Sequence, residues 1–540
     1  MPEFTMSSDL PRSQQLQTFV VTAEQMRQIE GRVFAAGMPV AALMEKVAGL
    51  IVDRVTTLYP STPYRRVGVL VGPGHNGGDA LVVARELQFR GYEVITYCPF
   101  SQLKDLTATH AQYCDSLGIP QVDRPEALQT CDFLIDGLFG FGLERPIAGD
   151  LATAIDQMNQ FALPIVSIDL PSGLHTDTGQ VLGIAIRATQ TLCLGLWKQG
   201  LLQDWALEFT GPIELIDFDL PLADIRAILG DRPAVNRITP ERAIAVLPLT
   251  RPASTHKYKQ GHLLLICGSH QYAGAAILSG LGARASGVGM LSIAVPQSLK
   301  PLLTTQLPEA LILGCPETTS GAIADLPETT DLSKYHAIAC GCGLTISATP
   351  VVEAVLASQQ SLLLDADGLN ILANLGTIPT LQARSAPTIL TPHLGEFQRL
   401  FPELTQDMPC RVTAVRQAAT QTQAIVLLKG ARVTIADAET VWINPASTPA
   451  LARGGSGDVL TGLTGGLLAQ VAAENREESQ EARDRRFSQA VQAAAWWHSQ
   501  AGIVAVQSRT ELGVDAHTLT DYLIPALSHN LALYQTSTKI

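Results

Sequence analysis

The chain has 540 residues, more than one hydrophobic core ordinarily supports, so two domains are the default expectation. A formal net charge of -13 and a pI near 5.3 exclude a nucleic-acid backbone as the main partner, since phosphate neutralisation needs clustered Lys and Arg. The first twenty residues lack the apolar core of a signal peptide, no apolar run approaches membrane-spanning length, and the nine cysteines show no repeated metal spacing; a soluble, cytoplasmic protein with reduced thiols and no membrane partner is expected.

Met1–Gln17 is polar and is expected to be disordered. From Thr22, an N-cap with Gln25 three residues on, Met26, Ile29, Val33 and Phe34 recur at helical spacing. A second helix follows Pro39 through Leu43, Val47 and Leu50 to Val55. Arg66-Val-Gly-Val-Leu-Val71 suits a buried parallel strand; the loop Gly72-Pro-Gly-His-Asn-Gly-Gly-Asp79 and the helical Ala80–Leu87 follow it. Strand, glycine loop and helix make a Rossmann-like unit, although the spacing is not the dinucleotide fingerprint. Further strands at Val94–Tyr97, Asp132–Asp136 and Ile165–Ile168 alternate with helices, which implies a parallel sheet covered on both faces.

Asp136 and Asp169 stand at strand ends, where open α/β sheets place their ligands, and Gly137-Leu-Phe-Gly-Phe-Gly-Leu-Glu-Arg-Pro146 is the loop beside them. Asp79 either caps its helix or faces the same edge. Close carboxylates repel unless a cation or a proton lies between them, so a monovalent ion among Asn76, Asp136 and Ser172 is physically sensible. The strand from Gln190 leads to Lys198; a lone lysine is more often exposed than functional.

Asp217–Pro248, with prolines at 221, 233, 240 and 248, marks the join, and a cut near Gly230 gives domains 1–229 and 230–540. Beyond it come His256-Lys-Tyr-Lys-Gln-Gly-His262, a strand at Leu263–Cys267, and Gly268-Ser-His-Gln-Tyr-Ala-Gly-Ala-Ala276 opening a helix of small residues. Ala339-Cys-Gly-Cys-Gly-Leu344, Leu363-Leu-Asp-Ala-Asp-Gly-Leu-Asn370 and Thr391-Pro-His-Leu-Gly-Glu396 each lie near the end of an apolar strand. Asp365 and Asp367 order their loop or bind a divalent ion. The strand Ala424–Leu428 ends in Lys429-Gly-Ala-Arg-Val433, and Glu474–Arg486 is a charge run expected to be a solvated loop.

Arg453-Gly-Gly-Ser-Gly-Asp-Val-Leu-Thr-Gly462 runs into the apolar Leu463–Val471, a turn feeding a helix. Glycines let backbone N–H groups converge on an anion, and the helix start adds free N–H groups and a positive dipole end. A phosphate would sit there, and Asp458 beside it is placed to accept the proton of an attacking hydroxyl.

This string resembles the anion hole and catalytic base of the ribokinase-like superfamily, and its neighbours Lys257-Tyr258, Gly268–Ala276 and Thr391–Glu396 resemble the ADP-dependent NAD(P)H-hydrate dehydratases. The first half, through Gln25–Glu30, Leu43–Glu45, His75–Asp79, Asp136–Arg145, Asp169–Gly173 and Lys198–Gly200, resembles the NAD(P)H-hydrate epimerases. His75 stands where that family has asparagine and Phe141 where threonine is common, while Leu451 and Arg453 replace a methionine and a threonine.

The resemblance implies a Rossmann-like three-layer α/β/α domain followed by a ribokinase-like α/β/α domain. It implies an epimerase whose substrate meets His75, Asn76, Gly77, Gly78, Asp79, Gly140, Phe141, Gly142, Leu143, Glu144, Arg145, Pro146 and Asp169. K+ would be held by Asn76, Asp136 and Ser172, and Asp169 and Lys198 would act in catalysis. In the second domain, Ala275, Gly343, His393 and Asp458 would meet the hydrate. Lys429, Gly430, Ala431, Arg432, Val433, Gly454, Gly455, Ser456 and Gly457 would hold ADP, with Mg2+ carried mainly on its phosphates. The expected activity is repair of hydrated NAD(P)H: interconversion of its R and S forms and dehydration of the S form, with ADP becoming AMP and phosphate. A homo-oligomer is expected. The competing reading is a small-molecule kinase of the vitamin-precursor type behind a non-catalytic binding module.

Overall fold

A computed structural model of the chain describes residues 11–405, 408, 410–474 and 479–537. The chain divides into two compact units, Met1–Val235 and Asn236–Ile540, a few residues beyond the cut expected from the prolines.

The first unit contains β1 (Val20–Val21), β2 (Arg66–Val71), β3 (Glu93–Tyr97), β4 (Gln121–Val122), β5 (Phe133–Gly137), β6 (Ile165–Ile168), β7 (Gln190–Leu194), β8 (Trp197–Lys198) and β9 (Ile213–Ile216). Its main sheet runs β4-β3-β2-β5-β6-β7-β9, all neighbours parallel, while β1 pairs with β8 separately. The reason is legible in β2. Val67, Val69 and Val71 pack on one face with Leu43, Met44 and Val47, and Leu70 packs on the other with Leu128 and Leu134. A strand apolar on both faces is stable only with helices on both.

Two sequence expectations fail locally. Part of the segment expected to be disordered is a helix, Arg12–Leu16, anchored by the buried Leu16 and by Arg12, whose Nε and Nη2 donate to Asp217 at 2.9 and 2.7 Å. Its remainder, 1–10, lies outside the described residues. Likewise, the charge run expected to be a loop is helical from Gln480, capped by the Ser479 side chain accepting the Ala482 N–H. Arg486 ties that helix back to Glu474 at 2.6 Å; residues 475–478 lie outside the described set.

The second unit adds β10 (Val235–Arg237), β11 (His262–Ile266), β12 (Met290–Pro296), β13 (Leu311–Cys315), β14 (Ala337–Cys340), β15 (Ser361–Leu364), β16 (Thr388–Leu390), β17 (Ile425–Leu428), β18 (Thr434–Ala436) and β19 (Val441–Ile443). Their order is β10-β19-β18-β17-β16-β15-β14-β11-β12-β13. The run from β13 to β17 is parallel, and β17, β18 and β19 are antiparallel. Helices Ala273–Ala285 and Ser456–Ala473 pack so closely that a Cβ on Gly462 would lie 1.8 Å from the Ser279 carbonyl oxygen. The small residues of this region serve that approach.

Candidate functional site

In each unit the strand order reverses once, between β2 and β5 and between β11 and β14; the first unit's polar constellation lies at its reversal, while in the second Asp365 and Lys429 follow β15 and β17.

In the first unit, the loops leaving β2 and β5 frame a cavity of about 800 Å³. A Cβ on Gly72 would lie 1.6 Å from the Leu138 carbonyl oxygen, and one on Gly77 would lie 1.9 Å from the Gly72 carbonyl oxygen. Only glycines allow the helix His75–Phe89 to start this close to the end of β2. Helical spacing then sorts the motif: His75, Asn76 and Asp79 line the cavity, whereas Gly77 and Gly78 are buried against the Gly72 backbone and the Met44 side chain. Gly77 and Gly78 thus have a packing role as well. Gly77→Ala should lower stability by about 1–3 kcal/mol through overpacking, read as a lower urea midpoint at unchanged slope.

Gly140, Phe141, Gly142, Leu143, Glu144 and Arg145 line the opposite wall; Pro146 is exposed and outside it. The Phe141 N–H donates to Asp169 Oδ2 at 3.1 Å, so this contact needs no threonine hydroxyl. Asp169 has φ 69°, a left-handed conformation that costs energy for a residue with a Cβ. It is held there by its N–H donating to the Leu192 carbonyl at 2.8 Å and by its side chain. Asp169 Oδ1 accepts the Leu194 N–H at 3.2 Å and pairs with Lys198 Nζ. Lys198 is 0% exposed, because the pairing of β8 with β1 carries it inside. Burial pulls its ammonium pKa down, but Asp169 outweighs that and holds it above the usual lysine value.

Asp136 is fully buried and accepts the Ser172 hydroxyl at 2.6 Å, the Ser167 hydroxyl at 2.8 Å, the Ser172 N–H at 2.9 Å and the Leu138 N–H at 3.2 Å. Burial raises its pKa, and those four bonds oppose the rise. Asn76 Nδ2 is buried without a partner among the described residues. Near Asn76, a Cβ on Gly140 would meet its Oδ1 at 3.1 Å. A buried carboxylate held by neutral donors, with hydroxyl and carboxamide oxygens to add, is a donor set that suits a large monovalent cation.

Two further carboxyls face the cavity. Asp79 is pushed well above its usual value by burial, then by Glu30 and Asp169. Glu30, on the helix Ala23–Ala35, is raised to about 7 by burial, with Lys198 lowering it and Asp169 raising it. Glu30 was not singled out from sequence. Its signal was a charge four residues after Met26, on the face of the helix that turns inward.

In the second unit, Gly455 at φ 90° lets the chain turn into the helix Ser456–Ala473, and Asp458 lies in the first turn without acting as its cap. A Cβ on Gly457 would sit 3.3 Å from Lys429 Nζ and 3.9 Å from Asp365 Oδ2, so the glycine turn, the lysine and the aspartate converge. Lys429 Nζ donates to Asp365 Oδ1 and the Thr461 hydroxyl to Oδ2, each at 2.5 Å. Arg411 fixes the lysine's strand end by donating to the Leu428 and Lys429 carbonyls at 3.0 and 2.8 Å. Asp458 is raised to about 6, first by burial; the Cys342 thiol and Lys429 pull it down and Asp365 pushes it up.

Ala275 and Gly343 are brought together: a Cβ on Gly343 would lie 3.0 Å from that of Ala275 and 2.7 Å from that of Tyr272. His393, 56% exposed, forms a capping box, its Nδ1 accepting the Gly395 N–H at 3.0 Å while its own N–H donates to Glu396 Oε2 at 2.8 Å. Glu396 is raised by burial and reaches the cluster electrostatically through Lys429 and Asp365. Asp367 accepts the Thr345 N–H at 2.8 Å, which orders its loop. Gly430, Ala431 and Gly454 are exposed; Arg432 and Val433 are half-buried. Arg453 turns away to the Leu512 carbonyl at 2.9 Å. Sequence reasoning also missed His498, buried and held neutral with a pKa near 4, whose Nε2 lies 3.0 Å from the Ser456 carbonyl and 3.3 Å from its hydroxyl beneath the glycine turn.

A Rossmann-like unit with a carboxylate-lined cavity and a ribokinase-like unit with a glycine turn, a lysine and a poised aspartate define a two-domain α/β enzyme. Residues 40–200 match the family model for the YjeF-related protein N-terminus, and residues 263–525 match the one for NAD(P)H-hydrate dehydratase. The bifunctional NAD(P)H-hydrate repair enzyme Nnr of Synechocystis sp. is 55% identical over 94% of each chain. That of Thermosynechococcus vestitus is 54% identical over 95% of this chain and 98% of its own. The chain belongs to the family of bifunctional NAD(P)H-hydrate repair enzymes, which joins an epimerase domain to a dehydratase domain. Among solved structures, an ADP/ATP-dependent NAD(P)H-hydrate dehydratase from Bacillus subtilis, co-crystallised with ATP and Mg2+, is 33% identical, with a TM-score of 0.43 over 54% of this chain and 97% of its own.

Proposed function

We propose that the first unit interconverts the R and S forms of NAD(P)H hydrate, and that the second dehydrates the S form at the expense of ADP. The observation that carries the second half is the convergence of Gly457, Lys429, Asp365 and Asp458 at one helix start. A phosphate on the helix N–H groups meets the Lys429 charge, and Asp365 keeps that lysine pointed. Ala275 and Gly343, which lie together and carry little side chain, leave room for the nicotinamide ring.

Asp458 accepts the proton of the substrate hydroxyl as that oxygen attacks the β-phosphorus of ADP, and the bond to the α-phosphate oxygen breaks to release AMP. Phosphate then leaves the ring carbon as the ring nitrogen lone pair forms a C=N bond, and loss of a proton from the neighbouring carbon restores NAD(P)H. Mg2+ bound to the nucleotide offsets phosphate charge; the chain's own carboxylate Asp365 is already engaged by Lys429 and Thr461.

In the first unit, the Asp169–Lys198 pair fixes one wall of the cavity. Its carboxylate offsets the positive charge that the ring acquires when the hydroxyl departs. Asn76, Asp136 and Ser172 would hold K+, which supplies a counter-charge to the buried Asp136 beside the loop that meets the substrate.

The test is to incubate the chain with mixed R and S NADPH hydrate, ADP and Mg2+ and to follow NADPH absorbance. Recovery of both forms is expected, with AMP and phosphate as products. A phosphorylated product that accumulates without NADPH would instead establish the kinase reading.

A further inference from the structure

We propose that Glu30 is the proton donor and acceptor of the epimerisation, working beside the Asp169–Lys198 pair. The inference rests on reading this cavity as the epimerase site. Glu30 is brought to the cavity wall by a helix whose start is fixed by a reciprocal capping box between Thr22 and Gln25. Its carboxyl has no protein hydrogen-bond partner among the described residues, and it is partly exposed on the cavity wall.

Several of the charged groups beside it are committed. Asp169 accepts the Phe141 and Leu194 N–H groups and pairs with Lys198. Lys198 also donates to the Leu194 carbonyl at 2.5 Å, so its protons are held. Asp136 accepts hydrogen bonds from Ser167, Ser172 and Leu138. Asp79, from the facing helix, is pushed well above the usual carboxylate value by burial, then by Glu30 and Asp169. Arg27, on Glu30's own helix, is taken by Glu24, and His75, Lys104, Glu144 and Arg145 complete the charged lining.

The chemistry needs one group present in both protonation states. The hydroxyl leaves the carbon bonded to the ring nitrogen with the C–O electron pair and takes a proton from Glu30, departing as water. The nitrogen lone pair forms the C=N bond. Water then adds to the opposite face and returns a proton to the Glu30 carboxylate, so atoms, charge and the enzyme are restored. A carboxyl titrating at about 7 is matched to both halves of this cycle.

The experiment follows R to S interconversion chromatographically, without ADP, across pH 5.5 to 9 (a range of about three to four units around neutrality). The wild-type kcat is expected to fall as pH rises through about 7, where Glu30 loses its proton. Glu30→Gln should lose about 100-fold or more in kcat and show no break, while melting no lower than the wild type at pH 8; Glu30→Asp should keep both a measurable rate and the break. An active wild type with Glu30→Gln at the same rate and the same profile overturns the inference alone. Equal losses in Glu30→Gln and Glu30→Asp, with no break in the wild type, assign Glu30 a purely structural role and overturn it too. A wild type that interconverts nothing overturns the reading of the cavity and the inference with it.

Discussion

Asp458→Asn is expected to reduce recovery of NADPH from the S hydrate by about 10²–10⁴-fold, the usual contribution of a positioned general base, while R to S interconversion continues in the other unit. The same substitution should stabilise the second unit at alkaline pH. In the folded chain this carboxyl titrates at about 6, against an ordinary value of 3.8. A raised carboxyl binds its proton more tightly in the folded state than in the unfolded one, so stability falls as pH rises from about 4 to 6, and the whole cost is present above that. The gap of about two units corresponds to about 3 kcal/mol. An amide removes that cost. Asp458→Asn should therefore melt higher than the wild type at pH 8, with the advantage fading below pH 4 (about the ordinary carboxylate range). A variant that is inactive and no more stable at pH 8 would deny Asp458 its raised pKa, and one that is fully active would remove it from the chemistry.

That combination, lost activity with gained stability, separates a strained functional group from a structural one. An aspartate at a helix start can also serve as a cap, and a cap removed costs stability. The geometry already favours the former, since Gly455 occupies the cap position and Asp458 lies inside the first turn.

What the sequence conveyed well was anything written in local pattern. The buried strand at Arg66–Val71 was read with its exact ends, as was the capping box at Thr22 and Gln25, because period and capping chemistry are properties of neighbours in the chain. The glycine turns were legible for the same reason. Their division of labour was not. Whether Gly77 meets a ligand or the Gly72 carbonyl depends on how close a helix comes to the end of a strand, a distance that no spacing encodes. His498 and Arg411 were invisible for a related reason: each reaches its site from an element remote in sequence and looks alone like an ordinary helix residue; Glu30 and Thr461 lay inside the strings Gln25–Glu30 and Arg453–Gly462, but nothing in the pattern told what each would face. The helix Arg12–Leu16 was missed because its anchor, Asp217, lies more than two hundred residues away, in line with the 205-residue separation of the bonded pair.

Lys198→Met should be the most damaging substitution in the first unit. It leaves the Asp169 carboxylate buried without its counter-charge, and removing one partner of a buried pair costs about 3–5 kcal/mol. Asp169→Asn together with Lys198→Met should recover much of the stability of the single lysine variant, because no buried charge is left, yet should recover none of the epimerisation. The double-mutant cycle, read as unfolding midpoints beside R to S rates, isolates the pair's coupling from its chemistry. Strong coupling in stability means that this ion pair is a fixed wall with its protons locked. The proton that epimerisation moves must then be carried by another group, and Glu30 is a carboxyl on the cavity wall with no hydrogen-bond partner among the described residues.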